Sequence, residues 1–162
     1  MSVTIRNADI FDVFKETKDS VLCHCANCFC KMKSGIAKVI TEKIPDAPKA
    51  DSLTIAGDPS KLGTFSFAHI DEIDGVEVDG FVANLYGQFD CTRTSLGDRD
   101  VSYDALYNAM CSIRDKFQYQ TILFPYQIGS NLAGGRWPIV EAMIRSVFEE
   151  HQFPVIICKI EK

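Results

Sequence analysis

Apolar residues fall along this chain in short runs of two kinds. Val3-Thr4-Ile5-Arg6 alternates apolar and polar positions, as a strand with one buried face does, and Ser20 to His24 and Val155 to Ile160 read as further strands. Thr121 to Phe124 is continuously apolar, the pattern of a parallel strand buried on both faces. Gly63 to Ile70 and Gly80 to Leu85 read as a strand pair joined by the acidic turn Asp71-Glu72-Ile73-Asp74-Gly75. Helical spacing separates these runs. Asn7-Ala8-Asp9 can cap a helix from Ile10 to Lys15, and Ser34-Gly35 opens a second one with Ile36, Val39 and Ile40 on one face, ending before Pro45. Leu106, Met110, Ile113 and Phe117 mark a third helix, and Pro138 starts a fourth that carries Ile139, Met143 and Val147.

Residues 45–62 hold three of the six prolines together with Asp, Ser and Gly, which predicts mostly loop. From Tyr86 to Asp100 the chain is polar without apolar periodicity, and a loop of that length is usually functional or disordered. The element order predicts an α/β fold with helices covering a mixed sheet. No internal repeat or linker appears, so residues 1–162 are expected to form one domain.

Composition narrows the partners. The 162 residues carry 17 Lys+Arg against 22 Asp+Glu, a formal charge of −5, which argues against a nucleic-acid binder working by general electrostatics. A small phosphorylated ligand is still compatible, because glycine loops and helix N-termini hold phosphate through backbone amides. The longest uncharged apolar runs, Thr121 to Tyr126 and Val155 to Cys158, are far below the roughly 20 residues of a membrane span. The N-terminus has no signal-peptide apolar region, so a soluble, cytoplasmic protein is expected.

Seven cysteines, four of them within Cys23-His24-Cys25-Ala26-Asn27-Cys28-Phe29-Cys30, raise the question of zinc. Cys25 and Cys28 make one C-x-x-C pair, but no second pair of ligands follows at zinc spacing. Free, small, buried thiols in a reducing compartment are the expectation, with no metal and no cofactor.

Three loops carry candidate chemistry. Asn27 to Ile36 runs from a strand end into a helix N-terminus, a place for an anion or a sugar hydroxyl. Ile128-Gly129-Ser130-Asn131-Leu132-Ala133-Gly134-Gly135 lets backbone approach a ligand closely, although it is not a P-loop. Asn84-Leu85-Tyr86-Gly87-Gln88 ends a strand before the long polar stretch.

Taken with Asn7-Ala8-Asp9-Ile10-Phe11, His24-Cys25-Ala26-Asn27-Cys28, Ser34-Gly35-Ile36-Ala37 and the continuation Gly135-Arg136-Trp137, these loops resemble the ordered motifs of a macrodomain along nearly the whole chain. They are most similar to the ADP-ribose 1″-phosphate phosphatase branch, which includes small stand-alone proteins of cells and bacteriophages. The resemblance implies a three-layer α/β/α sandwich that binds ADP-ribose or ADP-ribose 1″-phosphate in a cleft. It places Asp9 and Ile10 at the adenine, and Asn27, Ser34, Gly35 and Ile36 at the distal ribose. Gly129, Ser130, Asn131, Leu132 and Ala133 would wrap the diphosphate, with Tyr86 and Gln88 near the distal ribose or its phosphate.

His24 and Asn27 are the catalytic candidates, His24 as a general acid or base for metal-free phosphate hydrolysis. Cys28 or Cys30 as a nucleophile is a weaker option, because neither has an activating partner visible in the sequence. Related glycohydrolases place an Asp where this chain has Ala133 and a Lys beside the distal ribose, near Gly87-Gln88 here, which argues against lysine-dependent glycohydrolysis. A non-catalytic reader or sponge of ADP-ribose is the competing reading.

Overall fold

The computed structural model describes residues 3–33, 35–90, 101–130 and 134–160. Along the chain these form β1 (Val3–Asn7), α1 (Ile10–Glu16), β2 (Ser20–Asn27), α2 (Gly35–Lys43) and α3 (Asp46–Ser52). A 3-10 turn (Pro59–Lys61), β3 (Phe65–Ile73), β4 (Val76–Gln88), α4 (Tyr103–Lys116), β5 (Thr121–Pro125), α5 (Trp137–Val147) and β6 (Val155–Lys159) follow.

The strands make one sheet in the order β1-β6-β5-β2-β4-β3. Five run parallel, and β3 pairs antiparallel to β4 at the edge. β5, apolar throughout but for its first residue and its terminal proline, is buried at every position and lies beside β2 in the middle of the sheet. Each face has its own core. Leu106, Met110 and Ile113 of α4 and Val140, Ile144 and Val147 of α5 pack on one face with Val21, Ile122 and Phe124. Phe11, Val13 and Phe14 of α1, Ile40 of α2 and Ala47 of α3 pack on the other with Leu22, Val82 and Leu123. Burial of each large side chain in these layers contributes about 1.5–3 kcal/mol. The result is the expected α/β/α sandwich with a mixed sheet.

Two expectations need correction. Residues 45–62 are not mostly loop: they contain α3 and the 3-10 turn. Pro48 stands in the first turn of α3, where its missing N–H costs nothing, and Asp58 caps the 3-10 turn by accepting from Ser60 N, with Pro59 just inside. The acidic turn of 71–75 also shrinks. β3 continues to Ile73 and β4 starts at Val76, leaving Asp74-Gly75 as a two-residue hairpin turn with φ of 51° and 76°.

Candidate functional site

The parallel strands deliver Asn7, Lys159, Pro125, Asn27 and Gln88 to one edge of the sheet, where each strand ends. β2 and β5 are neighbours, yet the chain leaves β2 toward α2 on one face and leaves β5 toward α5 on the other. Loops that part in this way open a crevice at the carboxyl ends of the strands. Of the expected site residues, Asn27 ends β2, Gly35 and Ile36 open α2, and Gly129 and Ser130 stand on the loop after β5. Ser34, Asn131, Leu132 and Ala133 lie outside the described residues.

The β5–α5 loop is shaped by close backbone packing. Gly135 N donates to Gly129 O at 3.0 Å, closing the loop on itself. A Cβ at Gly135 would sit 2.5 Å from that same oxygen and 2.8 Å from Val101 Cγ1. Gly129 has φ of 70°, and a Cβ there would meet Leu106 Cδ2 at 3.0 Å. Both positions therefore need glycine. The amide of Ser130 is held in a turn by Gln127 O at 2.9 Å. Below the loop, the Tyr126 and Trp137 rings lie 4.9 Å apart, and Lys159 Nζ sits 4.5 Å from the Tyr126 ring centre.

Across the crevice, Asn27 organises its own loop. Its Oδ1 accepts from Phe29 N at 2.9 Å and Lys31 N at 3.3 Å, and its Nδ2 donates to Lys31 O at 2.7 Å. That donor bond uses one of two amide hydrogens. Gln88, opposite Asn27 past a register shift, donates from Nε2 to Asp90 O at 2.8 Å. The loop is anchored from beneath by Lys61, a buried lysine whose Nζ donates to Cys28 O at 2.9 Å, lies 3.6 Å from Cys30 Sγ and packs 4.6 Å from the Tyr86 ring centre.

A chain of buried polar groups runs under this end of the site. Asn84 Nδ2 donates to Ala47 O and to Ser66 Oγ, both at 3.0 Å. This fixes the amide so that Asn84 Oδ1 faces His24 Nε2 at 2.6 Å, and the imidazole must carry its proton on Nε2. His24 is fully buried, and its Nδ1 has no hydrogen-bond partner. Burial lowers its pKa, against the bond to Asn84, so the ring is neutral at pH 7. Tyr86 turns its hydroxyl inward as well: it donates to Asp51 Oδ1 at 2.7 Å and lies 2.8 Å from Ser66 Oγ.

At the other end of the strand edge, Asp9 caps α1. Its Oδ1 accepts from Phe11 N at 2.8 Å, while the first-turn amide of Ile10 has no partner inside the helix.

The cysteine cluster does not converge. Burial pushes the Cys25 thiol up to about 12 and raises Cys23 and Cys28 too, which keeps all three protonated at neutral pH. Among the described residues no three His, Cys, Asp or Glu side chains are placed to hold a metal ion, and no helix is long and apolar enough to cross a membrane. Lys61, Asp51 and Ser66 were not sequence candidates, and Asn84 was named only as the start of the third loop. The one signal for Lys61 was Asp58-Pro59, a capped turn start.

No protein-family model matches the chain. An uncharacterized 17.5 kDa protein from the tk–vs intergenic region of Enterobacteria phage T4 is 32% identical over 149 residues, spanning 89% of this chain and 88% of its own. The macrodomain of Mycobacterium tuberculosis DarG superposes with a TM-score of 0.70 at 16% identity, over 99% of this chain and 98% of its own. Thermosipho africanus DarTG, solved in complex with ADP-ribose, superposes with a TM-score of 0.75 at 13% identity, over 98% of this chain and 42% of its own. At 32% identity over most of both chains, the chain belongs to the family of the T4 17.5 kDa protein, and its superposition on these structures shows the macrodomain fold.

Proposed function

We propose that the protein binds ADP-ribose and ADP-ribose 1″-phosphate between the β2–α2 and β5–α5 loops, and hydrolyses the 1″-phosphate ester. The observation that carries this reading is the glycine-packed loop closed by Gly135 N on Gly129 O, which brings bare backbone to the crevice at the strand ends. The fold it shares with a protein solved with ADP-ribose supports the choice of ligand.

In this reading Asp9 and the Ile10 amide take the adenine, and Gly129 and Ser130 flank the diphosphate. Asn27 and Gln88 border the distal ribose. The 1″-phosphate meets the N-terminus of α2, where the amides of Gly35, Ile36 and Ala37 lack partners within the helix and Lys31 and Lys33 are exposed close by in the chain. Such amides stabilise charge on the phosphoryl group, without reorganising, as a water oxygen bonds to phosphorus and the 1″-oxygen leaves with ADP-ribose, taking up a proton from water. His24, buried and neutral, is a positioning residue that fixes Asn84 and the adjoining strand ends. Tyr86 backs the wall with its ring.

A second reading, a binder without turnover, is favoured by the burial of His24. Phosphorus NMR separates the two. Catalytic protein with ADP-ribose 1″-phosphate and chelator should release inorganic phosphate over many turnovers. Intact substrate whose diphosphate lines broaden only with stoichiometric protein would leave the binder. Unchanged lines at both concentrations would remove ADP-ribose from consideration.

A further inference from the structure

β3 ends the sheet and pairs only with β4 among the described strands. Tyr86 N donates to Thr64 O directly opposite it at 2.9 Å. Antiparallel partners alternate between bonded and unbonded pairs, so Ser66, Ala68 and Ile70 turn their backbone groups toward β4, while Phe65, Phe67 and His69 turn theirs outward. Soluble proteins usually shield such an edge with Lys, Pro or a covering element. The nine residues of β3 contain neither Lys nor Pro.

The side chains beside this edge are aromatic. Phe65, Phe67, Phe81 and Phe117 form a contiguous group with ring centres 5.2–6.2 Å apart. Phe67 remains 40% exposed, capped by Lys116 Nζ at 4.6 Å from its ring centre. At the far end of the same strand face stands Asp71, 88% exposed and 3.2 Å from His69 Nδ1.

We propose that β3 pairs antiparallel with β3 of a second copy of this chain, about a two-fold axis at Ala68. That register sets Phe67 against the second copy's His69 and Phe65 against its Asp71. Outward backbone groups then bond outward backbone groups, the two aromatic strips merge on one face, and each Asp71 approaches the other copy's Lys116. The arrangement is self-complementary in backbone, apolar surface and charge, as an isologous interface must be.

Sedimentation equilibrium of the whole protein should give a mass tending to twice the 18.1 kDa of the chain. Amide hydrogen exchange at Phe67 and His69 should slow as concentration rises. Lys116→Glu and Asp71→Lys should each weaken the dimer at least tenfold without changing the far-UV circular dichroism, and the two combined should restore it. A constant monomer mass up to about 1 mM overturns the proposal. So does a dimer indifferent to both reversals that leaves the Phe67 and His69 amides unprotected.

Discussion

His24 Nε2 donates to Asn84 Oδ1 at 2.6 Å across the β2–β4 register, and both residues are fully buried. Because Asn84 Nδ2 is committed to Ala47 O and Ser66 Oγ, the amide cannot turn to offer His24 a donor. Protonating Nδ1 would place a charge in the core on a nitrogen that has no hydrogen-bond partner.

That relationship sets a pH dependence. Burial lowers the folded-state pKa of His24 below the value of about 6.5 that it has when unfolded. Above pH 6.5 neither state binds the proton, and the native protein keeps its full stability. As pH falls from there toward the lower folded pKa, the unfolded chain takes a proton that the native chain refuses. Stability then drops by up to about 1.4 kcal/mol per pH unit from this group. His69 acts in the opposite sense, because its bond to Asp79 raises its pKa: its contribution is present below pH 6.5 and lost as pH rises through the folded value. His69 is exposed, so its effect is small. Urea unfolding at pH 7.5 and 5.5 measures the balance. His24→Gln, which keeps a donor for Asn84 and does not titrate, should show a flatter dependence than the wild type; equal slopes would refute the assignment.

Asp9 joins fold and ligand through one carboxylate. Its Oδ1 caps α1 on Phe11 N, and in the proposed function the carboxylate also accepts from the adenine amino group. Asp9→Ala should cost about 1 kcal/mol of stability by losing the cap. Asp9→Ser keeps an oxygen for the cap and should unfold close to the wild type. Both variants should bind ADP-ribose about 10- to 150-fold more weakly, since a hydrogen bond to a charged group is worth about 1.5–3 kcal/mol. Calorimetric titration beside thermal melts separates the two roles. Wild-type affinity in Asp9→Ser would remove Asp9 from the adenine site.

The parts of the fold legible in the sequence were those with one dominant period. β5 showed as an unbroken apolar run, and α4 as Leu106, Met110, Ile113 and Phe117 on one face. α3 was not legible because it has seven residues, its buried positions are Ala47 and the polar Asp51, and its Pro48 looks like a breaker. The two glycine-bearing loops were found at the right strand ends because β-to-α junctions carry both a composition and a direction. The buried network was hidden for a different reason. His24 meets Asn84 only through strand register, and Tyr86 meets Asp51 across 35 residues. Lys61 stands in a Pro- and Ser-bearing stretch that reads as solvated, and only the folded chain shows its ammonium on Cys28 O.

Gly135 offers a test of the loop. An added methyl would lie 2.5 Å from Gly129 O, and that neighbour is backbone, so the loop itself must move. Gly135→Ala should lower stability by about 1–3 kcal/mol, as overpacking does. It should also weaken ADP-ribose binding, because in the proposed function Gly129 and Ser130 flank the diphosphate. Gly75→Ala is the control. Its φ of 76° makes alanine strained there, but nothing lies within 4 Å of the added carbon, and the turn is at the opposite end of β4 from Gln88. It should cost about 1–2 kcal/mol and leave the affinity unchanged. Equal affinities in the two variants would detach the 129–135 segment from the ligand.

Tyr86 was expected near the distal ribose or its phosphate, and its hydroxyl donates into the protein, to Asp51 Oδ1. Asp51 is 2% exposed, and burial raises the Tyr86 pKa, so the phenol is a donor throughout the working pH range. Tyr86→Phe keeps the ring that packs on Lys61 but leaves a buried carboxylate short of a hydrogen bond, a loss of about 1.5–3 kcal/mol. For a chain of this size, that corresponds to a fall in Tm of roughly 3–12 °C. Asp51→Asn should recover part of the loss when combined with Tyr86→Phe, because the buried group then left without the phenol's hydrogen bond is a neutral amide and not a carboxylate. ADP-ribose affinity in Tyr86→Phe should stay within about twofold of the wild type, since the hydroxyl points to Asp51. A variant that melts like the wild type but loses ADP-ribose would reverse the assignment and return Tyr86 to the ligand.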